Sequence, residues 1–135
     1  MKILVSACLL GQNCKYNGKN NYNPTLIELL KGHEVFPVCP EVMGGLPTPR
    51  IPCERCQNRV IGKDGLDYTQ AYREGAKKAI EVAKVHSVDC AIVKSRSPSC
   101  GKTLIYDGTF QSILIPGSGV FCESLNRLQI PVIEV

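Results

Sequence analysis

The chain has no apolar run near the roughly 18 residues that a membrane-spanning helix requires. Its first apolar stretch, residues 3–10, is short and strand-like, and no small-residue cleavage site follows it. Neither a membrane span nor a secretory leader is expected, and the expected location is the cytoplasm. Histidine is scarce, with only His33 and His86 present, and both read as surface or internally satisfied side chains. Basic clustering is missing too: the net charge is +4, and only Lys77-Lys78 sets two cations side by side. That disfavours nucleic acid as a partner and suits a small anionic or polar ligand. Repeats, low-complexity tracts and linkers are also absent. Residues 1–135 are therefore expected to form a single domain, large enough to build a core without covalent staples.

Cysteine, by contrast, is abundant, at eight residues. A reducing compartment keeps thiols free, and a domain of this size does not need bridges, so a disulfide framework is disfavoured. Metal ligation or thiol chemistry accounts better for so many. Three cysteines share a setting, each following a β-branched or apolar run and opening into Gly- or Pro-rich loop. Cys8 follows Ile3-Leu4-Val5-Ser6-Ala7, Cys39 follows Val35-Phe36-Pro37-Val38, and Cys100 follows Ala91-Ile92-Val93-Lys94 and a Ser/Pro loop.

The pattern predicts strands at 2–7, 34–38, 90–94 and 132–135, and a short strand or hairpin arm at 59–61. Asn23-Pro24 reads as an N-cap and first helical residue for a helix stopped by Gly32. A long helix is expected from Thr69 to about His86, where Tyr72, Ala76, Ala79, Ile80 and Ala83 form one apolar stripe, and a last helix from Gly117 to about Leu128. Residues 39–57 are expected to be a long loop rich in proline, the kind that carries function. The alternation implies an α/β fold, a Rossmann-like, mainly parallel sheet flanked by helices with long loops at the strand carboxyl ends. Cys8, Cys39 and Cys100 then converge at the edge where open α/β sheets bind ligands. Three thiolates leave one position of a metal centre open for chemistry, although each could instead be a small buried hydrophobe.

Glu41, two residues beyond Cys39 in Cys-Pro-Glu, could serve as general base or proton donor beside such a centre, or simply cap a loop. Arg50 offers a planar fork for a carbonyl or carboxylate of a substrate, or a surface ion pair. Ser97 and Ser99, in Lys94-Ser-Arg-Ser-Pro-Ser-Cys100, could bond a substrate or relay a proton, or belong to an ordinary Ser-Pro turn. Cys53-Glu-Arg-Cys56 has thiol or metal spacing, but a redox pair normally opens a helix, which disfavours thioredoxin-like chemistry here. Cys14 could assist the main centre, whereas Cys90 and Cys122 read as packing residues. Gly117-Ser118-Gly119 could present helix amides to an anion, or act as a plain cap.

Five segments together resemble the DUF523 family, which includes thiouracil desulfidases. They are Ser6-Ala7-Cys8-Leu9-Leu10-Gly11, Lys15-Tyr16-Asn17-Gly18, the run from Cys39 to Arg50, the run from Lys94 to Gly101, and Ile105-Tyr106-Asp107-Gly108-Thr109-Phe110. The resemblance implies a [4Fe-4S] cluster held by Cys8, Cys39 and Cys100, with one iron free for the sulfur of a thiolated pyrimidine. It also implies Glu41 as the base that activates water and Ser97 as an aid to proton transfer; Arg50 and Ser99 are expected, from their own chemistry, as substrate contacts. Uracil and hydrogen sulfide would be the products. The residues alone do not select iron over zinc, so a zinc-stabilised binding module and a sulfur-carrier or thiol-redox protein remain alternatives. Cys14, Cys53 and Cys56 lie outside the family pattern and leave open a fourth ligand or a second metal site.

Overall fold

In the computed structural model, which describes residues 1–135, the first half of the chain runs β1 (Lys2–Ser6), a 3-10 turn (Ala7–Leu10), α1 (Pro24–Leu30), β2 (Glu34–Val38), α2 (Pro40–Met43), β3 (Cys53–Cys56) and β4 (Arg59–Gly62). The second half runs α3 (Thr69–His86), β5 (Cys90–Val93), β6 (Leu104–Tyr106), β7 (Leu114–Pro116), α4 (Val120–Arg127) and β8 (Val132–Glu134). Four strands form one sheet in the order β2-β1-β5-β8, and every neighbouring pair in it is parallel. The expected α/β architecture, a parallel sheet flanked by helices, is what these elements build.

Period-two alternation assigns the strand residues to two cores. Ile3 and Val5 face Leu26 and Leu30 of α1 on one side of the sheet. Leu4 faces the opposite side, where Ala76, Ala79, Ile80 and Ala83 of α3 meet Phe121 and Leu125 of α4. With both faces covered, β5 is buried at all of its positions, as parallel strands between helices are. The chain leaves β1 for β2 on one side and later returns to β5 on the other, so β1 lies at the reversal of strand order. The carboxyl ends of β1, β2 and β5 therefore open on one crevice.

Local chemistry sets the boundaries. The Asn23 side chain accepts from Leu26 N at 3.0 Å and caps α1, with Pro24 at its first position. The first strand stops at Ser6, because residues from Ala7 coil into the 3-10 turn that Gly11 closes at φ 93°. The last helix starts at Val120, three residues later than expected. The amides before and within its first turn bond the loop at 98–101 instead: Gly119 N reaches Gly101 O at 2.7 Å, Val120 N reaches Pro98 O at 2.9 Å and Phe121 N reaches Ser99 O at 2.9 Å. Those donors are spent on protein carbonyls, so of the two readings of Gly117-Ser118-Gly119 the structure takes the plain cap, with Gly119 as the N-cap, and not the anion cradle.

The proline-rich stretch is more structured than its composition suggests. It contains α2 and also β3, which pairs antiparallel with β4 from Cys53 opposite Gly62 to Cys56 opposite Arg59. A second hairpin, β6 with β7, gave no pattern in the sequence. Position 44 of α2's C-cap and position 75 of α3 are both glycine because the two backbones touch. A Cβ on Gly75 would stand 1.8 Å from the Pro40 carbonyl oxygen, and one on Gly44 would stand 2.1 Å from that of Ala71. Gly75→Ala must push α2 off α3. We expect it to cost roughly 3 kcal/mol and to lower Tm by roughly 10 °C. An unchanged melting curve would show that the contact yields freely.

Candidate active site

The crevice is a cavity of about 690 Å³ whose wall includes Cys8, Cys39, Cys100, Glu41, Ser97 and Arg50. Three separate elements deliver the thiols. Cys8 sits in the 3-10 turn directly after β1, and Cys39 is the N-cap residue of α2, directly after β2. Cys100 lies seven residues beyond β5, returned to the sheet edge by a turn in which Gly101 N bonds Ser97 O at 2.9 Å.

Each thiol has a distinct environment. Asn21 Nδ2 donates to Cys8 Sγ at 3.4 Å. Burial raises the Cys8 thiol above its ordinary value despite that bond. Cys100 is raised much further by burial and by the nearby Glu41 carboxylate, and the Ser99 hydroxyl lies 3.5 Å from its sulfur. Cys39 is lowered, chiefly by side-chain hydrogen bonding with Cys14, with the Val42 amide assisting, and its Sγ lies 3.7 Å from the Cys14 carbonyl oxygen. The same side-chain bonding holds Cys14 protonated. Cys8 and Cys100, both raised by burial, deprotonate readily only against a cationic centre.

Thiolates around one zinc ion lie about 2.3 Å from the metal. No three His, Cys, Asp or Glu side chains in the chain are grouped closely enough to hold a single ion. Thiols that surround one cavity without meeting at a point suit a larger inorganic group, such as an iron-sulfur cluster held by thiolates. The zinc-stabilised module loses support on the same ground.

Glu41 lies in the first turn of α2 and is 7% exposed. One carboxylate oxygen accepts from the Ser99 hydroxyl and faces Ser97 Oγ at 3.5 Å, while the other lies 3.6 Å from Cys39 Sγ. Ser97 Oγ accepts from the amides of Ser99 and Cys100, both at 3.1 Å, and pairs with Ser99 Oγ at 2.9 Å. A turn at 97–100 therefore carries a hydroxyl relay that ends on the carboxylate. Ser99 was expected to contact substrate, but its side chain is fully buried behind Glu41 and does not line the cavity. Its place is behind the carboxylate, which it holds.

Arg50 reaches the wall but is partly committed there. Nη2 donates to the Cys14 carbonyl at 2.8 Å, and Nη1 donates to the Pro47 carbonyl at 3.3 Å and to Thr48 Oγ1 at 3.2 Å. It thereby ties the loop carrying Cys14 to the loop after α2. The Cys53 and Cys56 thiols separate, because residues three apart on a strand project to opposite faces. Cys53 lines the cavity near Tyr72, and Cys56 is exposed. That geometry gives no support to a thiol-redox reading or to a second metal site. Cys90 and Cys122 pack in the two cores.

Several wall residues went unseen in the sequence, among them Asn21, Tyr72, Lys94, Tyr106 and Phe110. Tyr106 and Phe110 lay inside a quoted motif but carried no chemical signal of their own. Phe110 adopts φ 58°, and its amide and that of Gly108 both donate to Glu54 Oε1 at 3.1 Å. This clamp fixes the β6–β7 loop against β3. Nothing in the spacing of Glu54 announces it.

Comparison with known proteins gives three consistent matches. A family model described as 2-thiouracil desulfurase matches residues 3–135. The chain is similar to the uncharacterized protein YbbK of Bacillus subtilis (strain 168), at 37% identity over 142 residues, spanning 98% of this chain and 94% of that protein. It is also similar to the solved structure of the [4Fe-4S]-dependent thiouracil desulfidase TudS (DUF523Vcz), with a TM-score of 0.92 and 39% identity, covering 98% of this chain and 89% of that one.

Proposed function

The chain belongs to the 2-thiouracil desulfurase family, and from that premise we propose that it is a [4Fe-4S]-dependent enzyme that removes sulfur from thiouracil or a related thiolated pyrimidine by non-redox hydrolysis. Water exchanges for sulfide at one ring carbon, so a thiocarbonyl and water become a carbonyl and hydrogen sulfide, with no net electron transfer. Cys8, Cys39 and Cys100 would hold the cluster, which when bound supplies a Lewis-acidic iron for the substrate's sulfur.

The chain's own residues account for the proton. Glu41 accepts it from the attacking water, since its carboxylate lies on the cavity wall among the three thiols. Ser99 and Ser97 fix that carboxylate and provide a route by which the proton reaches the departing sulfur. Burial of Glu41 excludes bulk water, which strengthens these contacts. Arg50 holds the Cys14 loop as part of the wall and orients the ring's remaining polar edge.

The observation that carries this reading is the convergence of three thiols and one serine-held carboxylate in a single cavity. Protein purified without oxygen should contain about four irons and four acid-labile sulfides per chain and should convert thiouracil to uracil with release of sulfide. Cys14→Ser should keep both the iron and the turnover, because the contacts Cys14 makes to Cys39 Sγ and Arg50 run through its backbone carbonyl, which serine retains. Zinc in place of iron after anaerobic reconstitution, with thiouracil unchanged, overturns the proposal. Loss of iron from the Cys14→Ser protein would make Cys14 a fourth ligand and close the open position.

A further inference from the structure

A groove between α3 and α4 serves no part of the desulfidation machinery. It encloses about 520 Å³, within the range of small-ligand clefts. Arg73, Lys77 and Lys84 line it from α3, Arg127 from α4 and Arg55 from β3, and Glu123 is its one carboxylate. Positions 73, 77, 80 and 84 recur on one helical face, so three cations follow the groove for about 16 Å, above the apolar Ala76 and Ile80.

The charge there is not neutralised. Glu123 is taken by Arg55, at 2.7 Å, and the Arg55 side chain is only 10% exposed. The chain's other ion pairs, Lys31–Glu28 and Arg59–Asp67, lie elsewhere. Arg73 reaches only the Asn58 carbonyl, at 3.2 Å, and Arg127 only the Ser124 hydroxyl, at 3.1 Å. Glu74 and Glu81 of α3 do not line the groove. Five cations against one carboxylate leave it four positive charges, which equals the +4 of the whole chain. The fold has gathered into one concavity the charge that looked scattered in sequence, and concave low-dielectric walls concentrate the resulting potential.

We propose that this groove binds a small, multiply charged phosphate ligand of the polyphosphate or nucleoside polyphosphate class. Guanidinium forks match phosphate oxygens two at a time, and lysines add point charge. Four unpaired cations spread over one cleft call for several anionic groups within one molecule. No aromatic side chain lines the groove, so it lacks the stacking platform on which single-stranded nucleic acids rely. The phosphates rather than a base therefore carry recognition, and inorganic triphosphate is a sufficient probe.

Calorimetric titration of the cluster-loaded protein with inorganic triphosphate should show saturable binding to one site at low salt, weakening as ionic strength rises. The double variant Arg73→Glu with Lys77→Glu, both exposed positions, should bind roughly tenfold more weakly or worse. Its circular dichroism and thiouracil turnover should be unchanged, which separates loss of the groove from loss of the fold. Absence of saturable binding to wild type at low salt, or equal binding by the double variant, overturns the proposal. A single-stranded oligonucleotide that binds far more tightly than triphosphate, and is lost in the same variant, would replace the small-ligand class with nucleic acid.

Discussion

Cys100→Ala should yield a folded protein that assembles no cluster and consumes no thiouracil, with iron falling from about four per chain to near zero. The fold should survive, because exchanging a buried thiol for a methyl removes one heavy atom and costs only about 1–2 kcal/mol. Cys100 belongs to the core cluster that includes Val38 and Phe121 and also lines the cavity, so a lost sulfur leaves a gap opening towards that cavity. Cys8→Ala and Cys39→Ala should behave alike, since each removes one of three anchors supplied by a different strand end. Cys122→Ala is the informative control. That thiol is fully buried in the same core but is absent from the cavity wall, so its loss should cost comparable stability and no iron. Full iron content in the Cys100→Ala protein would show that this thiol is a core residue only.

The convergence of Cys8, Cys39 and Cys100 on one cavity was legible in sequence because each stands near the end of a strongly β-branched run, and a parallel sheet brings such ends together whatever their separation in the chain. The long helix and α1 were legible for a similar reason, with an apolar stripe in one and Asn23-Pro24 in the other. Of the two hairpins only the arm at 59–61 was legible, and it is β4; its partner β3 and the β6–β7 pair were not. Cys53-Glu-Arg-Cys56 alternates no apolar face, and its strand exists because Val60 on the partner strand is fully buried and the ladder supplies its hydrogen bonds. The same blindness affected side-chain direction. Ser97 and Ser99 lie two apart in one turn and read as equivalent, yet α4's first-turn amides grip the Ser99 carbonyl and bury its hydroxyl behind Glu41. Composition likewise called the cations scattered, since helical periodicity on α3 and the approach of α4 and β3 were needed to bring them into one groove. Contacts made across elements, such as Asn21 with Cys8 or Glu54 with the β6–β7 loop, leave no trace in local spacing.

Glu41→Gln should keep the cluster and lose turnover by about two to four orders of magnitude, the range of a positioned general base. The amide matches the carboxylate in size, and its oxygen can still accept from Ser99, so the serine relay and all three thiols stay in place. What it cannot do is take a proton from water. Ser99→Ala should reduce turnover less, because Ser97 Oγ remains 3.5 Å from the carboxylate. Glu41→Asp, drawn back by one methylene, should fall between the wild type and the amide. Iron analysis alongside single-turnover rates separates the possible roles of the residue. Iron retained with turnover lost assigns Glu41 to proton transfer. Iron lost would make the carboxylate a structural support for Cys39, whose sulfur lies 3.6 Å away. Iron and turnover both retained would leave the serines with nothing to position and move the search for the base elsewhere on the cavity wall, to Lys94 or Tyr72.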